Sequence, residues 1–323
     1  MKVLITGGAG FLGRRLATQL LARGELAGPN GTPERIDELM LLDVVEATGF
    51  DDARVTTLVG DIADRAVLER AIDTRTGAIF HLAAIVSGQA EADFELGMRI
   101  NLDASRTLLD VCRARGHRPR VVFTSSVAVY GGALPEVVQD DTALNPQSSY
   151  GTQKAIAELL LCDYARRGFV DGRVLRLPTI SVRPGRPNAA ASSFASGIIR
   201  EPLNGEESVC PVPLDTRLWL LSPRRAIDAL VAGCELDGEQ LGGRRIVNLP
   251  GISVSVGEMI DALREVAGDA PVAKIRHAVD PRVVAIVGSW PGRWDVARAA
   301  SLGLVGDATF ADVIRAYLED ERG

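Results

Sequence analysis

The chain is predicted to form an α/β fold: a doubly wound parallel sheet followed by a smaller C-terminal unit. Three observations carry this expectation. Short apolar runs alternate with longer segments of helical period through the first half, as in parallel sheets covered on both faces. A glycine-spaced turn joins the first run to a helix. The texture changes after Pro178, where residues 181–213 are rich in Pro, Gly, Ser and Ala and keep no sustained period, so a second, looser layer is expected there. The apolar runs at 3–5, 39–42, 55–59, 78–82, 121–124 and 174–177 make six strands, and the helix after the first run is expected over 14–23. The longest helical patterns cover 91–115 and 147–167, with apolar residues at helical spacing, and are expected side by side. Strand and helix signals return at 219–234 and 245–249, followed by helices at 255–267 and near 310–321.

The bulk numbers narrow the class. At 323 residues the chain can bury a substantial core, and 46% apolar with 24% charged residues is the composition of a globular protein. A net charge of -6 without a dense Lys/Arg run argues against nucleic acid as partner, which leaves a small molecule. Four dispersed cysteines (Cys112, Cys162, Cys210, Cys234) and three histidines show no ligand spacing, so no metal site is expected. The N-terminus opens directly into a strand pattern without a leader signal, and nothing approaches a membrane span, so a reducing cytoplasm is the expected location.

After the first run comes Thr6-Gly7-Gly8-Ala9-Gly10-Phe11-Leu12-Gly13. Glycines at 7, 10 and 13 let the backbone turn tightly and approach a pyrophosphate, whose charge meets amides at the helix N-terminus, while Gly13 permits close helix packing; Phe11 and Leu12 within the turn are expected cofactor contacts. Asp43 ends the second run, where a carboxylate can accept from both ribose hydroxyls and repel a 2′-phosphate, which favours NAD over NADP. It stands 30 residues after Gly13, farther than the usual acid, and the loop 24–38 with its Gly28-Pro29-Asn30-Gly31 turn accounts for the excess. A turn or capping aspartate is the competing reading. Asp61 and Ile62 follow the third strand and are expected beside the adenine. Leu82, Ala83 and Ala84 close the fourth strand in small apolar residues suited to lie against a cofactor, and Pro178, just after the sixth strand, joins the cofactor contacts. The expected division is therefore a dinucleotide-binding domain of residues 1–177, to which 218–249 returns, and a substrate-binding domain of 178–217 and 250–323.

Moving hydride off a carbinol carbon requires a base for the hydroxyl proton, and a free tyrosine is too weakly acidic near neutrality. In Tyr150-Gly151-Thr152-Gln153-Lys154 a helix puts Tyr150 and Lys154 on one face, where the ammonium is expected to lower the phenol pKa. Such pairs also occur by chance on helix surfaces. Thr124-Ser125-Ser126-Val127-Ala128-Val129-Tyr130-Gly131 follows the fifth strand, so its hydroxyls emerge at the carboxyl edge of the sheet, where Ser126 can bond the substrate oxygen. One of the two serines is expected to be a simple turn residue.

Together the Gly-x-x-Gly-x-x-Gly turn, the Ser-Ser-x-x-x-Tyr-Gly segment and Tyr-x-x-x-Lys resemble the extended short-chain dehydrogenase/reductase family, of the NAD-dependent epimerase/dehydratase type, over nearly the whole chain. The resemblance implies a Rossmann fold, Ser126 and Tyr150 as catalytic residues with Tyr150 the general base, and Lys154 holding the ribose and tuning the tyrosine, Ser125 being secondary. It also implies a homodimer paired through the helices at 91–115 and 147–167. Residues 175–195, the Val86-Ser87-Gly88-Gln89 segment and the tail from Gly288 to Trp294 are similar to the subgroup that oxidises D-erythronate, which implies transfer of hydride from the C2 hydroxyl of a small sugar acid to NAD. For such an acid Arg183 is the expected carboxylate clamp, with Ser87, Ser126, Tyr150 and Thr179 on the hydroxyls and Ser192 or Ser193 closing the site. A surface-loop arginine is the competing reading for Arg183, and Arg186, Arg217 and Arg293 are weaker candidates. Trp219, Trp290 and Trp294 are expected in the core or at interfaces, and His81 is expected to be structural. Two other functions stay open: a nucleotide-sugar epimerase or dehydratase with retained NAD, and a non-catalytic NAD-binding regulator.

Overall fold

The computed structural model describes residues 1–185 and 190–322. Strand β1 (Lys2–Thr6) is buried along its whole length, as a strand covered on both faces must be. Helix α1 (Phe11–Arg23) starts three residues earlier than its periodicity suggests, turns Leu16, Ala17 and Leu20 to the core, and ends at Gly24 in the left-handed conformation. The stretch read as a loop contains an antiparallel hairpin of β2 (Glu25–Ala27) and β3 (Pro33–Arg35). Three-residue strands are too short to show alternation. Then follow β4 (Glu38–Asp43), β5 (Val55–Val59), α2 (Arg65–Ala71) and β6 (Thr76–His81).

The expected single helix at 91–115 is interrupted. It comprises α3 (Ser87–Ala92), α4 (Phe94–Gly97), a π-helical segment Met98–Asp103 and α5 (Ala104–Arg115). Asp93 divides the first two, its carboxylate accepting from the Leu96 amide at 3.0 Å. The π-helical segment carries the buried Asn101, which bonds both backbone groups of Ile85 at 2.8 and 3.1 Å. Next come β7 (Arg120–Ser126), α6 (Ser149–Arg166) and β8 (Asp171–Leu177).

Beyond Pro178 the chain leaves the sheet and returns to it. It forms β9 (Thr179–Ile180), α7 (Phe194–Leu203), β10 (Ser208–Cys210) and β11 (Arg217–Leu221), then α8 (Pro223–Glu235), α9 (Gly238–Leu241) and β12 (Ile246–Asn248). The last part holds β13 (Ile252–Ser255), α10 (Val256–Ala267), α11 (Asp269–Val272), β14 (Ile275–His277), α12 (Pro281–Val287), α13 (Ala297–Ser301) and α14 (Phe310–Arg322). Helix α7 lies in the stretch expected to lack regular structure; its buried face of Ala195, Ile198 and Ile199 is short and ends at an internal proline.

The main sheet is parallel throughout, in the order β12-β8-β7-β6-β1-β4-β5. The six predicted strands are all present and β12 adds a seventh at the edge. Strand order reverses between β1 and β6, which opens a crevice at the carboxyl ends of the strands. One apolar core lies on each face of this sheet. A third joins α7, α10, α12 and α14 beneath the small sheet β13-β11-β9. Strand β11 thus pairs outside the main sheet, whereas α8 and β12 pack onto it.

Candidate active site

The carboxyl ends of β1, β4, β5, β6, β7 and β8 open onto a cavity of about 550 Å³. The structure brings every residue expected at the site to its wall: Gly7, Gly10, Phe11, Leu12, Gly13, Asp43, Asp61, Ile62, Leu82, Ala83, Ala84, Ser87, Ser126, Tyr150, Lys154, Pro178, Thr179 and Arg183. Among the described residues no helix is long and apolar enough to cross a membrane, and no group of three His, Cys, Asp or Glu is placed to hold a metal ion.

The glycine turn is built for close approach. Gly7 has φ +71°, and a Cβ there would meet the Ala83 amide nitrogen at 2.9 Å. A Cβ on Gly13 would lie 2.2 Å from the Gly7 carbonyl oxygen, so no side chain fits while α1 packs this tightly on the turn. Helix α1 has no capping side chain at Gly10 and no acidic residue in its first turn. Its leading amides therefore face the cavity unpaired by side chains, at the positive end of the helix dipole, and the cradle fits a pyrophosphate. Asp43 braces the turn from β4, with one carboxylate oxygen accepting from the Ala9 amide at 3.0 Å and the other from Val44 at 2.7 Å. Its remaining lone pairs suit the two hydroxyls of a ribose.

At the same end Arg99, a residue the sequence analysis did not single out, pairs with Asp61 at 2.5 Å. Burial pushes the Asp61 carboxyl up, but the Arg99 guanidinium and the Ala63 amide outweigh it and hold the carboxyl below its usual range.

Helix α6 is set by two local features. The Ser148 hydroxyl caps it, accepting from the Gly151 amide at 3.2 Å. Gly151 then lets the helix approach the turn after β7, since a Cβ would fall 2.1 Å from the Ala128 carbonyl oxygen. Tyr150 is thereby brought to the same cavity wall as Ser126, which acts to lower the phenol pKa and whose hydroxyl accepts from the Ala128 amide at 3.2 Å. Lys154 follows one turn later, only 1% exposed, and donates to the Thr124 carbonyl at 2.9 Å. Burial pushes the Tyr150 phenol up to about 12, against the bond from Ser126, and pulls Lys154 down to about 8, against the charge of Glu158. The expectation that the ammonium lowers the phenol pKa is therefore corrected. The Lys154 nitrogen is committed to Thr124 and sits 5.7 Å from the centre of the Tyr150 ring, so desolvation dominates the phenol. Glu158 is itself fully buried and held bidentately by Arg176 at 2.9 and 2.7 Å.

The other end of the cavity is made by the second unit. Arg183 is half-buried on its wall, among the described residues no carboxylate pairs with it, and burial followed by the like charge of Arg200 lowers its pKa. Ser87 is tied to this wall by accepting from the Ala191 amide at 3.3 Å. Ser192 lines the cavity and Ser193 does not. Arg217 is spent on Glu258 at 3.4 Å, and neither it nor Arg293 reaches the cavity; Arg186 lies outside the described residues. Of the tryptophans, Trp219 and Trp294 are buried against each other as expected, but Trp290 forms part of the cavity wall, and no periodicity marked it. His81 is buried between Thr6 and Ser105.

The model of the NAD dependent epimerase/dehydratase family matches residues 3–220. A D-erythronate dehydrogenase from Cupriavidus necator is 68% identical over 99% of this chain and 98% of its own. Another from Haemophilus influenzae is 47% identical over 99% of both chains. Among solved structures, the nucleoside-diphosphate-sugar epimerase from Agrobacterium tumefaciens superposes with a TM-score of 0.94 at 45% identity, covering 100% of this chain and 95% of that one.

Proposed function

This chain belongs to the NAD dependent epimerase/dehydratase family, and from that premise we propose that it oxidises a short sugar acid, D-erythronate, at its C2 hydroxyl to give 2-dehydro-D-erythronate. The observation that carries the proposal is the meeting, in one cavity, of Ser126, Tyr150 and Lys154 with an arginine that no carboxylate among the described residues neutralises. Arg183 takes the substrate carboxylate and thereby fixes which carbon faces the cofactor. Ser126 holds the C2 hydroxyl oxygen, and Tyr150, acting in its phenolate form, takes the hydroxyl proton to become the neutral phenol as the carbonyl forms. Bound NAD supplies the hydride acceptor. Lys154, held by Thr124, orients the nicotinamide ribose, Asp43 takes the adenosine ribose hydroxyls, and the leading amides of α1 take the pyrophosphate. Ser87 and Thr179 bond the remaining substrate hydroxyls. Residues 1–177 with 218–249 serve the dinucleotide in this reading, and 178–217 with 250–323 serve the acid.

The likeness to the Agrobacterium nucleoside-diphosphate-sugar epimerase favours a second reading, an epimerase of nucleotide sugars that retains NAD. Growth of NADH absorbance with NAD and a panel of four- to six-carbon aldonates, run beside nucleotide sugars, separates the two. Steady NADH from D-erythronate supports the dehydrogenase; conversion of a nucleotide sugar without net NADH refutes it.

The chain pairs with a second copy through α5 and α6 in this reading, because α6 leaves Ile156 41% and Leu159 64% exposed. Sedimentation should give a dimer that Leu159→Glu dissociates; an unchanged mass would refute the pairing. The four free cysteines suit a reducing cytoplasm.

A further inference from the structure

We propose that Trp290 is the residue that limits substrate length, closing the acid end of the cavity so that a four-carbon chain fits and longer or nucleotide-bearing ones do not. The proposal rests on the sugar-acid reading above and narrows its substrate class.

Among the described residues, Trp290 is the one wall residue contributed from beyond Ser192. Its half-buried ring packs against two apolar cores at once, that of the second unit around Val182 and Ala195 and the one formed by Val127, Tyr130 and Ala155 beside the catalytic helix. It therefore stands where the second unit meets the turn after β7, opposite the adenosine end marked by Asp43 and Asp61.

The segment that carries it is held at both ends. On one side the Trp290 amide donates to the Val287 carbonyl at 3.1 Å, closing α12. On the other, Val138 and the segment exchange bonds, Val138 N to the Arg293 carbonyl at 3.0 Å and Asp295 N to the Val138 carbonyl at 2.8 Å. Trp294 is 2% exposed and its indole N–H donates to the Leu249 carbonyl at 2.7 Å. The two tryptophans thus divide the work: Trp294 anchors and Trp290 projects. A wall fixed in this way cannot retreat cheaply from a longer ligand.

Its chemistry matches its position. An indole face offers no partner to further hydroxyls or to a diphosphate, and a polar group pressed against it loses its water without compensation.

The test compares Trp290→Ala and the milder Trp290→Leu with the unaltered chain on four-, five- and six-carbon aldonates, by NADH formation and by calorimetric binding of the same acids to the NADH-loaded protein. NAD affinity serves as the control for folding. The expected result is a rise on the order of tenfold or more in the five- to four-carbon ratio of kcat/KM, with NAD affinity unchanged and the four-carbon preference kept in Trp290→Phe. An unchanged ratio in folded variants overturns the role of Trp290 and leaves the dehydrogenase reading standing. Absence of NADH with every aldonate would sink that reading instead, and the calorimetric length ratio would still decide the role of Trp290. Conversion of a nucleotide sugar by the unaltered chain overturns both.

Discussion

Acidification should destabilise this protein in part through one buried histidine. His81 is 3% exposed on β6, with Nδ1 at 2.8 Å from the Thr6 hydroxyl and Nε2 at 2.9 Å from that of Ser105. The Ser105 hydrogen is committed to the Asn101 carbonyl at 2.7 Å, so Ser105 accepts from the imidazole and the neutral ring carries its proton on Nε2. A second proton on Nδ1 would meet the hydrogen of Thr6, and the adjoining void of about 10 Å³ is at the limit of holding one water to solvate the charge. Burial, then the positive charge of Lys154, pulls the pKa from 6.5 to about 3. Below pH 6.5 the unfolded chain therefore binds a proton that the native one refuses. Stability falls by about 1.4 kcal/mol per pH unit, roughly 5 kcal/mol once pH reaches the folded value. His81→Gln keeps a neutral donor toward Ser105 without the titration. Urea unfolding of both proteins at about pH 6.5 and about pH 4.5 should show the unaltered chain losing about 2 kcal/mol more than the variant, the carboxylates common to both cancelling. Equal losses would refute the buried neutral imidazole as the acid-sensitive element.

Three further outcomes follow from the site. Gly13→Ala should weaken NAD binding on the order of 100-fold, because a Cβ at 2.2 Å from the Gly7 oxygen displaces the cradle, whereas Gly10→Ala, with its nearest atom at 3.1 Å, should lose less; equal titration curves would contradict the packing argument. Asp43→Gly should raise the ratio of NADP to NAD in kcat/KM, and an unchanged ratio would remove Asp43 from cofactor choice. Tyr150→Phe should cut turnover roughly 100- to 10,000-fold with NAD affinity retained; full activity would dismiss the phenol as base.

Much of this architecture is legible in the residues because buried parallel strands need uninterrupted apolar runs and a pyrophosphate turn needs glycine at fixed intervals. Val3-Leu4-Ile5 and the glycines at 7, 10 and 13 meet those needs within a dozen residues. What stayed hidden depends on neighbours distant in sequence. The hairpin β2–β3 is too short for a period, and the π-helical segment at Met98–Asp103 has an outward texture like that of an α-helix. Trp290 and Trp294 stand four residues apart with no periodic pattern to separate their roles, yet one is anchored to Leu249 and the other lines the cavity. The balance of burial against charge at Tyr150 was equally out of reach, since the direction taken by Lys154 depends on the Thr124 carbonyl.

Strand β12 reaches the sheet only after the chain has passed through β9, α7, β10 and β11, and Ala299 and Leu304 come back once more to the core beneath α1. The two halves are woven, and no single cut lifts one out. Ending the chain after Leu177 would strip β12 from the edge of β8 and uncover Leu175 where α8 had lain. Recombination between relatives at one breakpoint would set β12 and α8 of one parent against β8 of the other. In such a weave new substrate preferences are reached by replacing side chains along the cavity, while exchange of whole units is closed to it.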